Sequence, residues 1–150
     1  MQNQNKSQPL FTVQTTTWQA SQTALKTIRE QVFINEQLVP VELEWDEQDA
    51  SAIHLLATGS ESKPIGCARV LENGSIGRMA VLTGWRNLGI GKALLSTAIN
   101  VCREHQYSTV TLSAQTHAIG FYEKAGFTIC SKVYLDAGIP HRDMGLKLDS

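Results

Sequence analysis

Seven residues, Arg86-Asn87-Leu88-Gly89-Ile90-Gly91-Lys92, set two glycines one residue apart between two cations. Glycines in such a loop let a ligand approach the backbone. If a helix starts there, its free N–H groups and dipole favour phosphate. Two phosphate-loop patterns are excluded. The dinucleotide GxGxxG needs a third small residue where Leu94 stands, and the P-loop needs Ser or Thr where Ala93 follows Lys92. A second segment, Gln115 through Phe127, holds a phenol, Tyr122, beside Phe121, with Lys124 close behind. From the residues alone, the plain role of that phenol is packing through its ring, with its OH hydrogen-bonded. Phe121 is expected to face the core, and Lys124 the solvent.

Charge is unevenly spread. The chain of 150 residues has 13 Lys+Arg, 14 Asp+Glu and a formal net charge of −1. Residues 30–62 contain no Lys or Arg and carry −8, leaving +7 for the remainder. The separation suggests one basic site for an anion and one acidic site for a cation. Arg69 and Arg78 are expected on neighbouring strands, where they could hold an acceptor anion or pair with the acidic stretch. Pairing is slightly favoured. Candidate proton acceptors are Glu36, Glu44, Asp46, His54 and His141.

The elements that must position these groups are legible from periodicity. Phe11–Trp18 is rich in Thr, Val and aromatics and reads as a strand. Ser21, an N-cap candidate, opens a helix to about Asn35, with Ala24, Leu25, Ile28, Val32 and Phe33 on one face. Glu36–Asp49, interrupted by Pro40, reads as a long loop. Strands follow at 52–58, 64–71 and 75–82, the last two joined at Asn73-Gly74. The glycine loop leads into a helix to about His105, buried through Ile90, Leu94, Ala98 and Val101. A strand at 109–113, a short helix at 118–125 ended by Gly126, and strands at 128–135 and 142–148 complete the order β-α-β-β-β-α-β-α-β-β. The fold class is α/β (α+β), a mixed sheet covered by helices. The length suits one domain, here 11–150, after a disordered start at 1–10.

No apolar run approaches the roughly 18 residues of a membrane span, and the polar start does not read as a signal peptide. Near-zero net charge argues against nucleic acid as a partner. Cys67, Cys102 and Cys130 are odd in number and contain no CxxC pair. They read as buried small hydrophobes in a reducing cytoplasm, with no metal site.

The glycine loop and the Phe121-Tyr122-Glu123-Lys124-Ala125-Gly126-Phe127 segment, in this order and about 30 residues apart, resemble the GCN5-related N-acetyltransferase (GNAT) superfamily over about residues 11–148. Arg29-Glu30-Gln31-Val32-Phe33-Ile34-Asn35-Glu36-Gln37, followed by Glu44, Asp46, Asp49 and His54, resembles the ElaA/YjcF-like branch. So does Asp136-Ala137-Gly138-Ile139-Pro140-His141. The resemblance implies a mostly antiparallel sheet splayed in the middle, with acetyl-CoA as cosubstrate. It assigns the pyrophosphate to Arg86, Asn87, Leu88, Gly89, Ile90, Gly91 and Lys92. It assigns the pantetheine arm and the acetyl carbonyl to the backbone of Met79, Ala80 and Val81. Tyr122 becomes the proton donor to the leaving sulfur.

Two positions depart from the family. Gln115 stands where Asn often binds the arm, and the strand at 75–82 carries Arg78 but no glutamate base. The acceptor would be a primary amine of a small molecule or peptide, held among Glu36, Glu44, Asp46, His54 and His141. The resemblance also suggests a homodimer. The missing glutamate leaves a non-catalytic acyl-CoA-binding regulatory module as the alternative. A nucleotide-binding domain using the glycine loop is a third reading.

Overall fold

The computed structural model describes residues 10–148. The expectation of a disordered start therefore lies, except for Leu10, outside the described residues. Eight strands form one sheet in the order β1-β2-β3-β4-β5-β8-β6, with β7 also on β8. Every pairing is antiparallel except β4–β5.

β1 (Thr12–Thr16) leads directly into α1 (Trp18–Arg29). Thr17, rather than Ser21, caps this helix: its hydroxyl accepts from Ala20 N at 3.1 Å. Ser21 sits one turn inside with non-helical φ −129° and ψ 22°, and its hydroxyl pairs with that of Thr16. The run Thr15-Thr16-Thr17 supplied an earlier cap than periodicity indicated. After Arg29 the helix widens into a π-helical segment, Glu30–Glu36. The expected long loop is instead a short helix, α2 (Val41–Glu44), and a 3₁₀ turn, Glu47–Ala50, started by Asp46 accepting from Gln48 N. Four-residue pieces are too short for periodicity to reveal.

β2 (Ile53–Thr58), β3 (Pro64–Val70) and β4 (Ser75–Val81) form a meander. The Asn73-Gly74 turn is as expected. Gly74 has φ +83°, and a Cβ there would lie 2.7 Å from Thr109 O. α3 (Ile90–Glu104) and β5 (Thr109–Gln115) follow, then α4 (Ile119–Lys124), with Gly126 in the left-handed region behind it. The two expected closing strands are three: β6 (Thr128–Ile129), β7 (Tyr134–Asp136) and the longer β8 (Ile139–Lys147). Ala137 and Gly138, both at positive φ, turn β7 into β8. The sequence expectation leaves 136–141 between the closing strands; the turn there is tighter, and the strand expected at 128–135 is broken between Ile129 and Tyr134.

Two apolar clusters sandwich the sheet. α3 packs Ile90, Leu94, Leu95 and Ala98 against Leu55, Ile65, Val70, Val110 and Leu112. On the opposite face α1 packs Leu25 and Ile28, with Val32 beyond, against Leu56, Cys67 and Ala80. Cys67 and Cys102 are buried as expected, and burial pushes the Cys67 thiol up to about 12. Cys130 is exposed, because it follows a two-residue strand at the sheet edge. No described helix is long and apolar enough to cross a membrane.

Candidate active site

The site begins as a defect in β4. Arg78 adopts φ +47°, and the β3–β4 register shifts between Cys67 and Arg69. Ala80 faces Cys67 and Gly77 faces Arg69, so two residues of β4, Arg78 and Met79, stand where β3 has only Ala68. This is a β-bulge, which bends and twists a strand. On its other edge β4 pairs with β5 only at Ser75–Thr111 and Ile76–Leu112. Beyond Ile76 the two strands part, and Met79, Ala80 and Val81 have no β5 partner.

A cleft of about 1000 Å³ fills the gap. Its walls include Met79, Ala80, Val81, Gly89, Ile90, Gly91 and Lys92, with Tyr122 and His141. Gly89, at φ +87°, is the residue before α3, and no side chain caps that helix. Its first N–H groups therefore point out at the cleft without a protein partner of the capping kind. Arg86 and Asn87 also line the cleft; Leu88 is exposed beside it but does not line it.

Arg86 does not lie free for phosphate. Its guanidinium forms a fork on Glu36, with both N–H···O distances 2.7 Å, and its Nε donates to Val81 O at 2.9 Å. The Arg86 hydrogen bonds and charge hold Glu36 below its ordinary value. The pair straps the π-helical segment to the end of β4. Gln115 reaches the cleft but is also engaged. Its Nε2 donates to Gln37 Oε1 at 2.8 Å, and its Oε1 lies 2.8 Å from His117 Nε2.

Tyr122 packs its ring edge-on against Phe121 and Phe127. Burial raises its phenol, so the hydroxyl stays protonated well above neutrality. That hydroxyl has no hydrogen-bond partner among the described residues. It is not sealed either, since Arg69 Nε is the one buried, unpartnered side-chain N or O among them. Phe121 is not in the core. It is 38% exposed and lines the cleft, its ring 3.6 Å from where a Gly91 Cβ would stand. With Tyr122 and Phe127 turned inward, a six-residue helix leaves Phe121 the outer position. Lys124 is exposed, as expected.

The buried acids of the acidic stretch are paired with arginines. Arg29, 1% exposed, donates to Glu44 Oε2 and Asp49 Oδ1, both at 2.8 Å. Arg69 holds Asp46 and Asp49 at 2.8 and 3.0 Å. Arg78 completes the set on Glu44 and Asp46 at 3.1 and 3.3 Å. Trp45 and Trp18 flank Arg29, with ring centroids 5.0 and 5.6 Å from Cζ. Three arginines thus neutralise three carboxylates. The remaining acids of the stretch, Glu30, Glu42, Glu47 and Glu61, are exposed, with Glu36 on Arg86. Sequence reading placed Arg69 and Arg78 correctly but missed Arg29. Its signal was present, since Arg29 lies on the Leu25–Ile28–Val32 stripe that faces the core.

Of the five acceptor-site candidates, the cleft gathers Glu36, Glu44 and His141. Asp46 belongs to the arginine network outside the cleft lining. His54 is also away from it, 1% exposed, tilted against Trp18 and bonded through Nε2 to Asp49 O at 2.9 Å. It lies on the face of β2 that α1 covers. Burial lowers its pKa. His141 stands on β8 opposite Gln115 of β5 and Tyr134 of β7. Sequence reading also missed the polar chain Ser113–Tyr134–Asp143 beside it, because only strand pairing brings these residues together. Among the described residues no group of three or more His, Cys, Asp or Glu side chains is placed to hold a metal ion.

Comparison with known proteins meets this geometry. The acetyltransferase (GNAT) domain family matches residues 14–148. The uncharacterized N-acetyltransferase YjcF of Bacillus subtilis is 37% identical over 121 residues, covering 78% of this chain and 86% of YjcF. Protein ElaA of Escherichia coli is 31% identical, covering 81% of this chain and 84% of ElaA. The crystal structure of Escherichia coli ElaA superposes with a TM-score of 0.81 at 28% identity, covering 90% of this chain and 98% of ElaA. The splayed sheet, the uncapped helix start and the relatives agree: this chain belongs to the GNAT acetyltransferase family, in its ElaA/YjcF-like branch, and is an acyltransferase.

Proposed function

We propose that the protein is an acetyl-CoA-dependent N-acetyltransferase acting on a primary amine of a small molecule or peptide. The observation that carries this reading is the shared cleft, which is lined by the parted edge of β4, the uncapped start of α3 and Tyr122. The pyrophosphate of acetyl-CoA would sit on the amides of Gly89–Lys92, with Lys92 adding charge. The pantetheine arm would lie along Met79–Val81 as an added strand. The Val81 carbonyl is already bonded to Arg86, so the pairing falls on the remaining groups. Gln115 is a reserve partner, available only if it leaves Gln37 or His117.

A neutral amine attacks the thioester carbonyl directly. The C–N bond forms, the oxyanion is met by a backbone N–H of β4, and the C–S bond breaks. Tyr122, kept protonated by burial, gives its proton to the departing sulfur. The second amine proton returns to the phenolate through water. The three free thiols suit a reducing, cytoplasmic setting. The test follows CoA thiol release across a panel of small amines and peptides. Thiol release that depends on the amine, with acetylated product, supports the reading. Acetyl-CoA binding with no turnover on any amine favours a regulatory acyl-CoA-binding module instead.

A further inference from the structure

The strand β4 offers no carboxylate base, so the proton of an incoming ammonium must go elsewhere. The structure removes most candidates by occupation. Glu36 is held in the Arg86 fork, which weakens it as a base. Glu44 is buried and accepts from Arg29, with Arg78 at 3.1 Å. Asp46 lies between Arg69 and Arg78. His54 is sealed under α1.

His141 differs in each respect. Its Nδ1 is 2.7 Å from Ile139 O. A carbonyl only accepts, so Nδ1 carries a proton, and it is Nε2 that holds the lone pair whenever the ring is neutral. Nε2 has no partner among the described residues and is not sealed, since only Arg69 Nε is both. The residue lines the cleft with Tyr122, and Asp136 on the same wall adds a negative charge that attracts an ammonium. Tyr134 lies against the ring at 6.1 Å with 22° between planes, and Tyr134 is itself fixed by Ser113 and Asp143. The tautomer, the ring plane and the open nitrogen are therefore all set by the fold. This is the arrangement by which an imidazole is made ready to take a proton.

We propose that His141 Nε2 is the general base, removing the first proton from the acceptor's ammonium before the amine attacks. The proposal rests on the acetyl-transfer reading above. The N–H bond of the ammonium breaks, Nε2 takes the proton, and the imidazolium releases it to water after the turnover. The second amine proton takes the Tyr122 route, so one proton leaves per amide formed. Asp136 steers the cation, and Tyr134 is a positioning residue.

His141→Asn keeps a donor for Ile139 O while removing the base, and His141→Ala opens space for a small molecule. With an alkylamine acceptor, both variants are expected to lose about 10²-fold in kcat or more. Acetyl-CoA affinity and melting temperature should stay near wild type. Added imidazole should restore part of the rate in His141→Ala. The defect of His141→Asn should shrink with an aryl hydrazine, which arrives unprotonated. Wild-type kcat in His141→Asn, or an equal defect for alkylamine and aryl hydrazine, overturns the base assignment alone. A wild-type protein that binds no acetyl-CoA overturns both this inference and the acetyl-transfer reading.

Discussion

Two regions of this molecule are rich in groups that could do chemistry, and they use them in opposite ways. The network of Arg29, Arg69 and Arg78 with Glu44, Asp46 and Asp49 turns its charges on one another, with Arg29 between Trp18 and Trp45. The cleft between β4 and β5 leaves the start of α3 without a side-chain cap, and the Tyr122 hydroxyl and His141 Nε2 without partners, among the described residues. The number of ionisable residues does not separate structure from function. Whether their charges are already paired does, although Arg69 Nε remains the one buried side-chain atom among the described residues without a hydrogen bond.

The regions also touch, and the contact explains the architecture. Arg78, whose backbone makes the bulge that parts β4 from β5, donates from its side chain to Glu44 O at 2.8 Å. The ion network thus fastens α2 and its flanking turn over the strand that opens the cleft. Glu44 and Asp46, expected at the acceptor site, are both engaged in this network, Glu44 while also lining the cleft.

The largest effect should come from breaking the network. Arg29→Met strands Glu44 and Asp49 as buried carboxylates with one cation fewer. Removing one partner of a buried ion pair costs about 3–5 kcal/mol. At ~2–4 °C per kcal/mol for a chain of this size, the melting temperature should fall by about 6–20 °C. Urea unfolding checks the size, and a shift under about 2 °C would show that the network is dispensable.

Next is a change at the chemical end of the cleft. Tyr122→Phe keeps the ring contacts with Phe121 and Phe127 and removes the proton donor. It should lower kcat by about 10–100-fold, with acetyl-CoA affinity and melting temperature near wild type. Steady-state turnover beside a melting curve tests this. A drop in both kcat and melting temperature would move Tyr122 to the structural side of the comparison. Gly91→Val acts at the other end. A Cβ at Gly91 meets only the Phe121 ring, at 3.6 Å, so the fold accommodates it. The same side chain stands where phosphate must approach, and acetyl-CoA affinity should fall about tenfold or more by calorimetry, a loss of ~1.4 kcal/mol.

The smallest effect sharpens the comparison through pH. His54 belongs to the structural region, and burial lowers its pKa below the ordinary 6.5. The unfolded chain therefore takes up a proton first as pH falls. Stability contributed by neutral His54 is complete above about 6.5 and declines as pH drops below it. His54→Gln retains a donor for Asp49 O and should flatten the stability–pH curve just below 6.5. Asp49, held low by Arg29 and Arg69 against the cost of burial, adds an acid loss only at lower pH. Unfolding free energy measured in steps between pH 7 and pH 5 distinguishes the two.

The sequence was most informative where one residue type has one local use. Gly89 and Gly91 before an apolar helical stripe, Gly74 in a two-residue turn, and Gly126 behind α4 are all placed by short-range rules. Long-range pairing was less legible. Arg29 enters the core because Glu44 and Asp49 come back to it 15 and 20 residues later. Strand periodicity also gave no warning of the bulge at Arg78, since a bulge needs only one extra residue between correctly alternating halves. For the site, the donor Tyr122 and the phosphate loop were visible in short motifs. His141 was one of five equal candidates until strand pairing and the Ile139 carbonyl distinguished it.

The central claim is that the unsatisfied cleft is an acetyl-CoA site, and ligand-linked melting tests it most directly. At about 100-fold above Kd, binding stabilises the folded state by ~2.7 kcal/mol. With ~2–4 °C per kcal/mol, wild-type protein should melt about 5–11 °C higher in acetyl-CoA. It should not shift with ATP or NAD, and Gly91→Val at the same ligand concentration should lose about half of the rise or more. An unchanged melting temperature in saturating acetyl-CoA, or an equal rise in Gly91→Val, would contradict the account.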